Sequence, residues 1–383
     1  VASTTVVLGG GVGGLVTANE LRGRLGREHR IILVDKGPQH VFSPSLIWLQ
    51  VDLRKPERIT RALSRLVKKG VEVVQGEVTS IDPQRRSVGV DSAEISADYI
   101  VIALGTDLAP ELVPGLAGAG HNLYTLAGAT AIRDARMGLR EGRLAIVVAR
   151  MPFKCPAAPY EAAMLLDHDL RKRGLRDRVS VSLYSPEPGP MGVAGPDVSA
   201  GVRGLIEQRN ISYWPKHLLK EVDPAGQTLR FENGEDAAFD LLVYVPPHVV
   251  PRVVREAGLA EAGAWVPVDR QSLETDHTNV FAIGDVAGIP LSMGLPLPKA
   301  GVFAHAQGRA VAKTIAARAS DRGDEGVFTG AGQCFVEVGG GRAGFGGGNF
   351  YAEPTPQITL RDPSRLWHAG KVVLEKRWLK RWL

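Results

Sequence analysis

The chain has 383 residues, 44% of them hydrophobic and 23% charged, enough for two or more packed domains of ordinary globular composition. The net charge of +5 would suit nucleic acid, but no nucleic-acid-binding motif accompanies it. No apolar run approaches the length of a membrane span. The two cysteines, Cys155 and Cys334, do not make a disulfide framework. The chain enters a strand almost at once, so no secretory leader is expected.

In chain order, residues 4–36 read as strand, glycine turn, helix, strand. The turn is Gly9-Gly10-Gly11-Val12-Gly13-Gly14. Gly9 allows the tight turn, Gly11 lets the backbone approach a pyrophosphate, and Gly14 lets helix and strand pack closely. The helix N-terminus offers free N–H groups to phosphate, and Asp35 ends the next strand where a carboxylate would accept ribose hydroxyls. Residues 57–69 are predicted to form an amphipathic helix, with Ile59, Leu63, Leu66 and Val67 on one face, Pro56 near its start and Gly70 at its end. Residues 71–90, broken by Gly76, Asp82-Pro83 and Gly89, predict a small antiparallel sheet. Residues 98–103 form an apolar strand closed by Gly105-Thr106, and residues 107–125 form a crossover.

A second α/β unit spans residues 142 to about 251. Its first strand, 144–149, runs into Arg150-Met151-Pro152-Phe153-Lys154-Cys155-Pro156, where a phosphate-binding turn would carry glycines. One intact and one altered unit point to a bound flavin nucleotide rather than a nicotinamide, and the cysteine in the altered turn points to electrons arriving through sulfur. Glu161, at the start of the next predicted helix, is the acid/base candidate. The cluster Arg171, Lys172, Arg173, Arg176 and Arg178 reads as a solvated face. Further on come the strand Val280-Phe281-Ala282-Ile283, the Gly284-Asp285 turn, and a helix after Lys299-Ala300-Gly301. No metal-ligand cluster is expected. The fold class is α/β with tandem Rossmann-like domains: 1–108 with 265–325, then 109–264, then a C-terminal region 326–383. In residues 364–383, Leu374, Trp378, Leu379, Trp382 and Leu383 share one half of a helical wheel with Glu375. Lys376, Arg377, Lys380 and Arg381 take the other half, a pattern that predicts seating on an anionic membrane surface.

Residues 100–106 and 278–285 are similar to segments of flavoproteins with two dinucleotide-binding domains. With Pro152-Phe153-Lys154-Cys155-Pro156-Ala157-Ala158-Pro159-Tyr160-Glu161-Ala162-Ala163, essentially the whole chain resembles the sulfide:quinone oxidoreductase and flavocytochrome c sulfide dehydrogenase family. The resemblance implies FAD held through Gly9, Gly11, Gly13, Gly14, Asp35, Lys36, Val78, Ala103, Gly105, Gly284, Asp285 and Lys299, with Asp285 on the ribityl chain. It implies a bridge between Cys155 and Cys334 flanking the flavin, opened by sulfide through thiol–disulfide exchange. Cys334 would be the flavin-side thiolate and Cys155 the carrier of sulfane sulfur. It also implies a membrane quinone as acceptor, with Phe335 and Phe345 or Phe350 walling its slot, and peripheral attachment to a prokaryotic cell membrane. A homo-oligomer is compatible with the sequence.

Some departures from the family are informative. Leu123-Tyr124-Thr125 stands where many quinone-linked members have a third cysteine. Phe42-Ser43-Pro44-Ser45 lacks the cysteine that cytochrome-linked members join to FAD, so the FAD is expected to be non-covalent. The histidines of some members have no clear match in Met191-Gly192-Val193-Ala194-Gly195. Three other readings stay open: a cytochrome c-linked sulfide dehydrogenase subunit, a type II NADH:quinone dehydrogenase with Glu187 as ribose-binding acid, and a non-enzymatic flavin scaffold.

Overall fold

The structure, a computed structural model, describes residues 2–383. The first domain is built on a parallel sheet in the order Val280–Ala282, Tyr99–Ile102, Thr4–Leu8, Arg30–Asp35, Glu72–Gln75. Its strands are apolar runs because both faces are covered. Val7 and Leu33 pack beneath the helices Val12–Arg24 and Gly301–Ser320. Val6 and Leu8 pack against the antiparallel sheet Val78–Asp82, Ser87–Val90, Ala93–Ser96 and the short helix Arg252–Glu256.

The second domain repeats the scheme. Its parallel sheet runs His121–Asn122, Leu241–Val245, Gly142–Val148, Val179–Tyr184, Ser212–Trp214. The helices Ala158–Lys172 and Pro196–Glu207 cover one face, and the sheet Leu219–Asp223, Thr228–Phe231, Asp236–Ala238 covers the other. The chain crosses between the domains twice, and the two crossings, Asp107–Leu108 and His248–Val249, pair antiparallel. A third sheet, Ala331–Gly339, Arg342–Asn349, Gln357–Ser364, leads into the helix Arg365–Arg381.

Four local expectations are corrected. Residues 57–69 are not one helix but the short helix Pro56–Ile59, the strand Thr60–Ala62 and the 3₁₀ turn Leu63–Lys69. Thr60–Ala62 pairs with Gln39–Val41, and these tertiary hydrogen bonds override the helical period. Ile59, Leu63 and Leu66 are buried, but Val67 is 58% exposed. Within 71–90, Glu72–Gln75 joins the edge of the parallel sheet; only the strands from Val78 onward are antiparallel. The 171–178 cluster is a solvated face only in part: Arg171, Lys172 and Arg178 are exposed, but three of its arginines are engaged by carboxylates. Arg171 and Arg176 both bind the buried Asp167, at 2.8 and 2.5 Å, and Arg173 shares Asp169 with Arg136.

The fourth correction concerns the tail. Trp378, Leu379, Trp382 and Leu383 face the core of the first domain. Trp378 Nε1 donates to His40 Nε2 at 3.1 Å, and His40 Nδ1 lies 2.9 Å from the Gly10 carbonyl oxygen. The indole only donates and the carbonyl only accepts, so His40 carries its hydrogen on Nδ1. Asn19 Nδ2 and Lys69 Nζ donate to the Trp382 and Arg381 carbonyls at 3.1 and 2.8 Å, satisfying the helix end. Glu375 turns inward to Ser45 and Arg54. Amphipathic spacing selects the residues that leave water but does not say what they meet. Among the described residues no helix is long and apolar enough to cross a membrane.

This packing makes Trp378→Ala costly. Loss of the buried indole is expected to lower unfolding free energy by about 3–5 kcal/mol, read by denaturant titration of detergent-free protein. An unchanged midpoint would place the side chain outside the core.

Candidate active site

The glycine turn is shaped for close backbone approach. Gly9 has φ +104°, and a Cβ there would meet the Ala103 carbonyl oxygen at 2.4 Å; at Gly14 a Cβ would meet the Gly9 oxygen at 1.9 Å. Around Gly11 the space is open, and no side chain caps the helix beginning at Val12. Asp35 is half-buried and accepts from the Gly10 and Gly37 N–H groups at 2.6 and 2.7 Å, which fixes its carboxylate beside the turn. Lys36 next to it is exposed, and Val78 opens the antiparallel sheet half-buried. The buried Thr106 hydroxyl, after Gly105, lacks a protein partner.

The later segment is tied in from the other side. Gly284 N–H donates to Gln307 Oε1 at 2.7 Å, and Asp285 lies half-buried in the 3₁₀ turn Gly284–Val286. Lys299 Nζ donates to the Asp285 carbonyl at 2.5 Å and stands 3.4 Å over the Trp265 ring; burial lowers its pKa to about 7. An open phosphate turn, a fixed carboxylate and an orphaned hydroxyl fit an FAD.

Cys155 sits in the glycine-free turn with φ +48°. Its N–H donates to the Lys299 carbonyl at 2.6 Å, which ties the sulfur turn to the segment that holds Asp285. Cys334 lies on the strand Ala331–Gly339, opposite Gly346. Both are thiols. Burial pushes Cys155 well above the ordinary thiol range, and the charge of Cys334 adds to the rise. Cys334 opens to solvent on one side, yet the surrounding protein displaces enough water to raise its thiol to about 11.

Glu161 is not the lone carboxylate that the sequence suggests. It is 3% exposed, and its Oε1 accepts both Lys371 Nζ at 2.7 Å and the Glu337 N–H at 2.8 Å. Burial raises the Glu161 carboxyl, against the pull of Lys371. Desolvation lowers Lys371, but Glu161 and Glu337 outweigh it and hold the ammonium above its usual pKa. His368 Nδ1 lies 3.0 Å from the Glu337 carboxylate. The charge of Glu161 raises both thiols and that of Lys371 lowers both. Sequence reasoning missed Lys371, Glu337, His368 and His40. Lys371 was hidden in the basic tail, and the other three carry no local signal.

The aromatic candidates separate. Phe335 and Phe345 pair across strands at 5.2 Å, and Phe345 stacks on Trp367 at 4.6 Å. Phe350 instead meets Phe303 edge-on at 5.1 Å. In the second domain, Glu187 is buried, accepts from Tyr160 and, at 3.1 Å, from Ser185, and is raised by burial. Its carboxylate is committed to the protein, and Arg150 fills the turn with bonds to the Ala149 and Leu219 carbonyls. Neither feature suits a nicotinamide dinucleotide.

Residues 3–308 match the pyridine nucleotide-disulphide oxidoreductase family. The chain is 30% identical to the sulfide-quinone reductase of Aquifex aeolicus, covering 99% of this chain and 90% of that one. It is 29% identical to the mouse mitochondrial sulfide:quinone oxidoreductase, over 75% of this chain and 66% of that protein. The crystal structure of the Aquifex aeolicus sulfide:quinone oxidoreductase superposes with a TM-score of 0.90 at 27% identity, covering all of this chain and 91% of that one.

The buried pair generates a test on thiol reactivity. Lys371→Met removes the charge that favours both thiolates, so iodoacetamide should alkylate the reduced protein more slowly at pH 8. Glu161→Gln removes the opposing charge and should speed alkylation. Equal rates in the two variants would show that the pair has no hold on the cysteines.

Proposed function

The chain belongs to the pyridine nucleotide-disulphide oxidoreductases and, within them, to the sulfide:quinone oxidoreductase family, and on that premise we propose how its residues oxidise sulfide and pass the electrons to a quinone. The observation that carries the reading is the Glu161 carboxylate, which bonds Lys371 of the C-terminal helix and the Glu337 N–H of the strand bearing Cys334 from the helix that follows Cys155, while the Cys155 N–H is tied to Lys299. FAD, when bound, takes up two electrons at a time and passes them on. In the oxidised chain Cys155 and Cys334 form a disulfide. Hydrosulfide attacks Cys155 Sγ, the Cys155–Cys334 bond breaks, and a new S–S bond forms on Cys155. The displaced electron pair stays on Cys334 as thiolate, and the hydrogen stays on the terminal sulfur of the Cys155 persulfide. Lys371 favours that thiolate, and Glu161 holds the lysine in place.

Non-covalent FAD is supported by the absence of cysteine from residues 42–45. Phe335 and Phe345, backed by Trp367, supply flat apolar walls for a quinone on the sheet face opposite the Cys334 side chain. Peripheral attachment to a prokaryotic membrane is supported by what the last helix leaves outside. Leu366 is 70% exposed, and Val373 and Leu374 are also exposed, next to Lys376, Arg377 and Lys380. That combination suits an anionic headgroup layer, and it replaces the Trp face, which is buried.

Acid precipitation should leave yellow FAD in the supernatant, whereas flavin in the pellet would mean a covalent link. In anaerobic stopped flow, sulfide should bleach the wild-type flavin and NADH should not. Cys155→Ala and Cys334→Ala should each lose at least about 10³-fold in bleaching rate with FAD retained, and the double variant should be little worse, because the two act as a unit. Fast bleaching of Cys155→Ala by sulfide would rule out the bridge.

A further inference from the structure

At the crossing between the domains lies a group that the reaction above does not use. His248, in the strand His248–Val249, is nine-tenths buried. Its Nδ1 lies 2.8 Å from the Pro246 carbonyl oxygen. A carbonyl only accepts, so the hydrogen is on Nδ1 and Nε2 carries a bare lone pair. Nε2 has no hydrogen-bond partner among the described residues. A buried acceptor without a partner is unfavourable and points to something that donates to it.

The neighbours connect His248 to the sulfur turn. Its ring meets the Tyr124 ring edge-on at 5.3 Å. The Tyr124 hydroxyl donates to the Cys155 carbonyl at 3.4 Å. Lys154, directly before Cys155, places Nζ 5.7 Å from the Tyr124 ring centre. It is half-buried and has no acidic partner among the described residues. Burial, together with the charges of Lys154 and Lys299, holds the imidazole pKa down at about 3, so the ring stays a neutral acceptor.

We propose that His248, Lys154 and Tyr124 form a binding subsite for hydrosulfide beside Cys155, in which Lys154 balances the anion and His248 Nε2 accepts its S–H hydrogen. The subsite rests on the sulfide reading above. Its chemistry selects a ligand with one negative charge and one hydrogen to donate. A carboxylate brings no hydrogen for Nε2, and a neutral thiol brings no charge for the lysine. Tyr124 stands between them, its ring against His248 and 5.7 Å from the Lys154 ammonium.

The test separates binding from turnover. Dithionite-reduced holoenzyme holds both cysteines as thiols, so sodium hydrosulfide can bind without passing on electrons. Calorimetric titration should give saturable binding to the wild type. It should be weakened about tenfold or more in His248→Phe, which keeps the ring contact and removes the acceptor, and to within about threefold of wild type in His248→Gln, which restores one. Lys154→Met should weaken binding at least about fivefold, and it serves as a second arm should a His248 variant fail to hold flavin. No binding to the reduced wild type, or wild-type affinity in either His248→Phe or Lys154→Met, would overturn the subsite. If hydrosulfide binds the reduced wild type in this pattern but never bleaches the oxidised enzyme, the subsite stands and the sulfide oxidation reading fails.

Discussion

One carboxylate oxygen holds the reactive parts together. Glu161 Oε1 accepts Lys371 Nζ and the Glu337 N–H at once. It thereby joins the helix after Cys155, the strand bearing Cys334 and the C-terminal helix. Taking two such charges out of water costs several kcal/mol per ion, and a hydrophobic pair of equal volume is often no less stable. Stability alone therefore does not account for the pair. Its opposite charges reach both thiols from the same place, so any shift of the C-terminal helix changes the balance between thiol and thiolate. Trp48 adds rigidity: Lys371 Nζ stands 5.1 Å from its ring and His368 meets it edge-on at 5.7 Å.

The parts of the molecule legible in the sequence are those whose physics is local. The turn at Gly9 needs a residue without a Cβ because the Ala103 carbonyl is 2.4 Å from where one would stand, and that constraint leaves a visible spacing. The Gly284-Asp285 turn is legible for the same reason, and the turn at Cys155 because the glycines are missing from it. What escapes is decided by distant partners. Residues 57–69 have a helical period, yet Gln39–Val41 claims Thr60–Ala62 as a strand partner. The Trp face of the last helix is readable as a face, but core and bilayer ask for the same spacing. Lys371 looks like its basic neighbours until Glu161, 210 positions earlier, is placed against it. His248 has no motif at all; its interest lies in a bond that Nε2 lacks.

The altered second unit shows how one scaffold serves two ends. Four strands of each parallel sheet share an order, while the fifth is the last strand of its sheet in one, Val280–Ala282, and the first in the other, His121–Asn122; in both, the central strand ends at a strand-to-helix turn. In the first, glycines keep that turn open. In the second, Arg150 and Cys155 fill it, and Glu187 binds Tyr160 rather than anything outside the protein. The place that is left open by glycines in one unit carries a cysteine in the other.

The contact from Trp378 through His40 to Gly10 has a consequence for how the protein is made. The glycine turn is translated among the first residues, but the indole that completes its support lies 338 positions beyond His40. At roughly 5–20 residues per second, the ribosome needs on the order of 20–70 s to cover that distance. Throughout that interval the loop at Gly10 is unbraced, with an imidazole nitrogen still open to water, and the strand Val280–Ala282 and helix Gly301–Ser320 that complete the first unit are themselves made late in it. The glycine turn therefore reaches its fully braced form only after the downstream helix emerges from the exit tunnel.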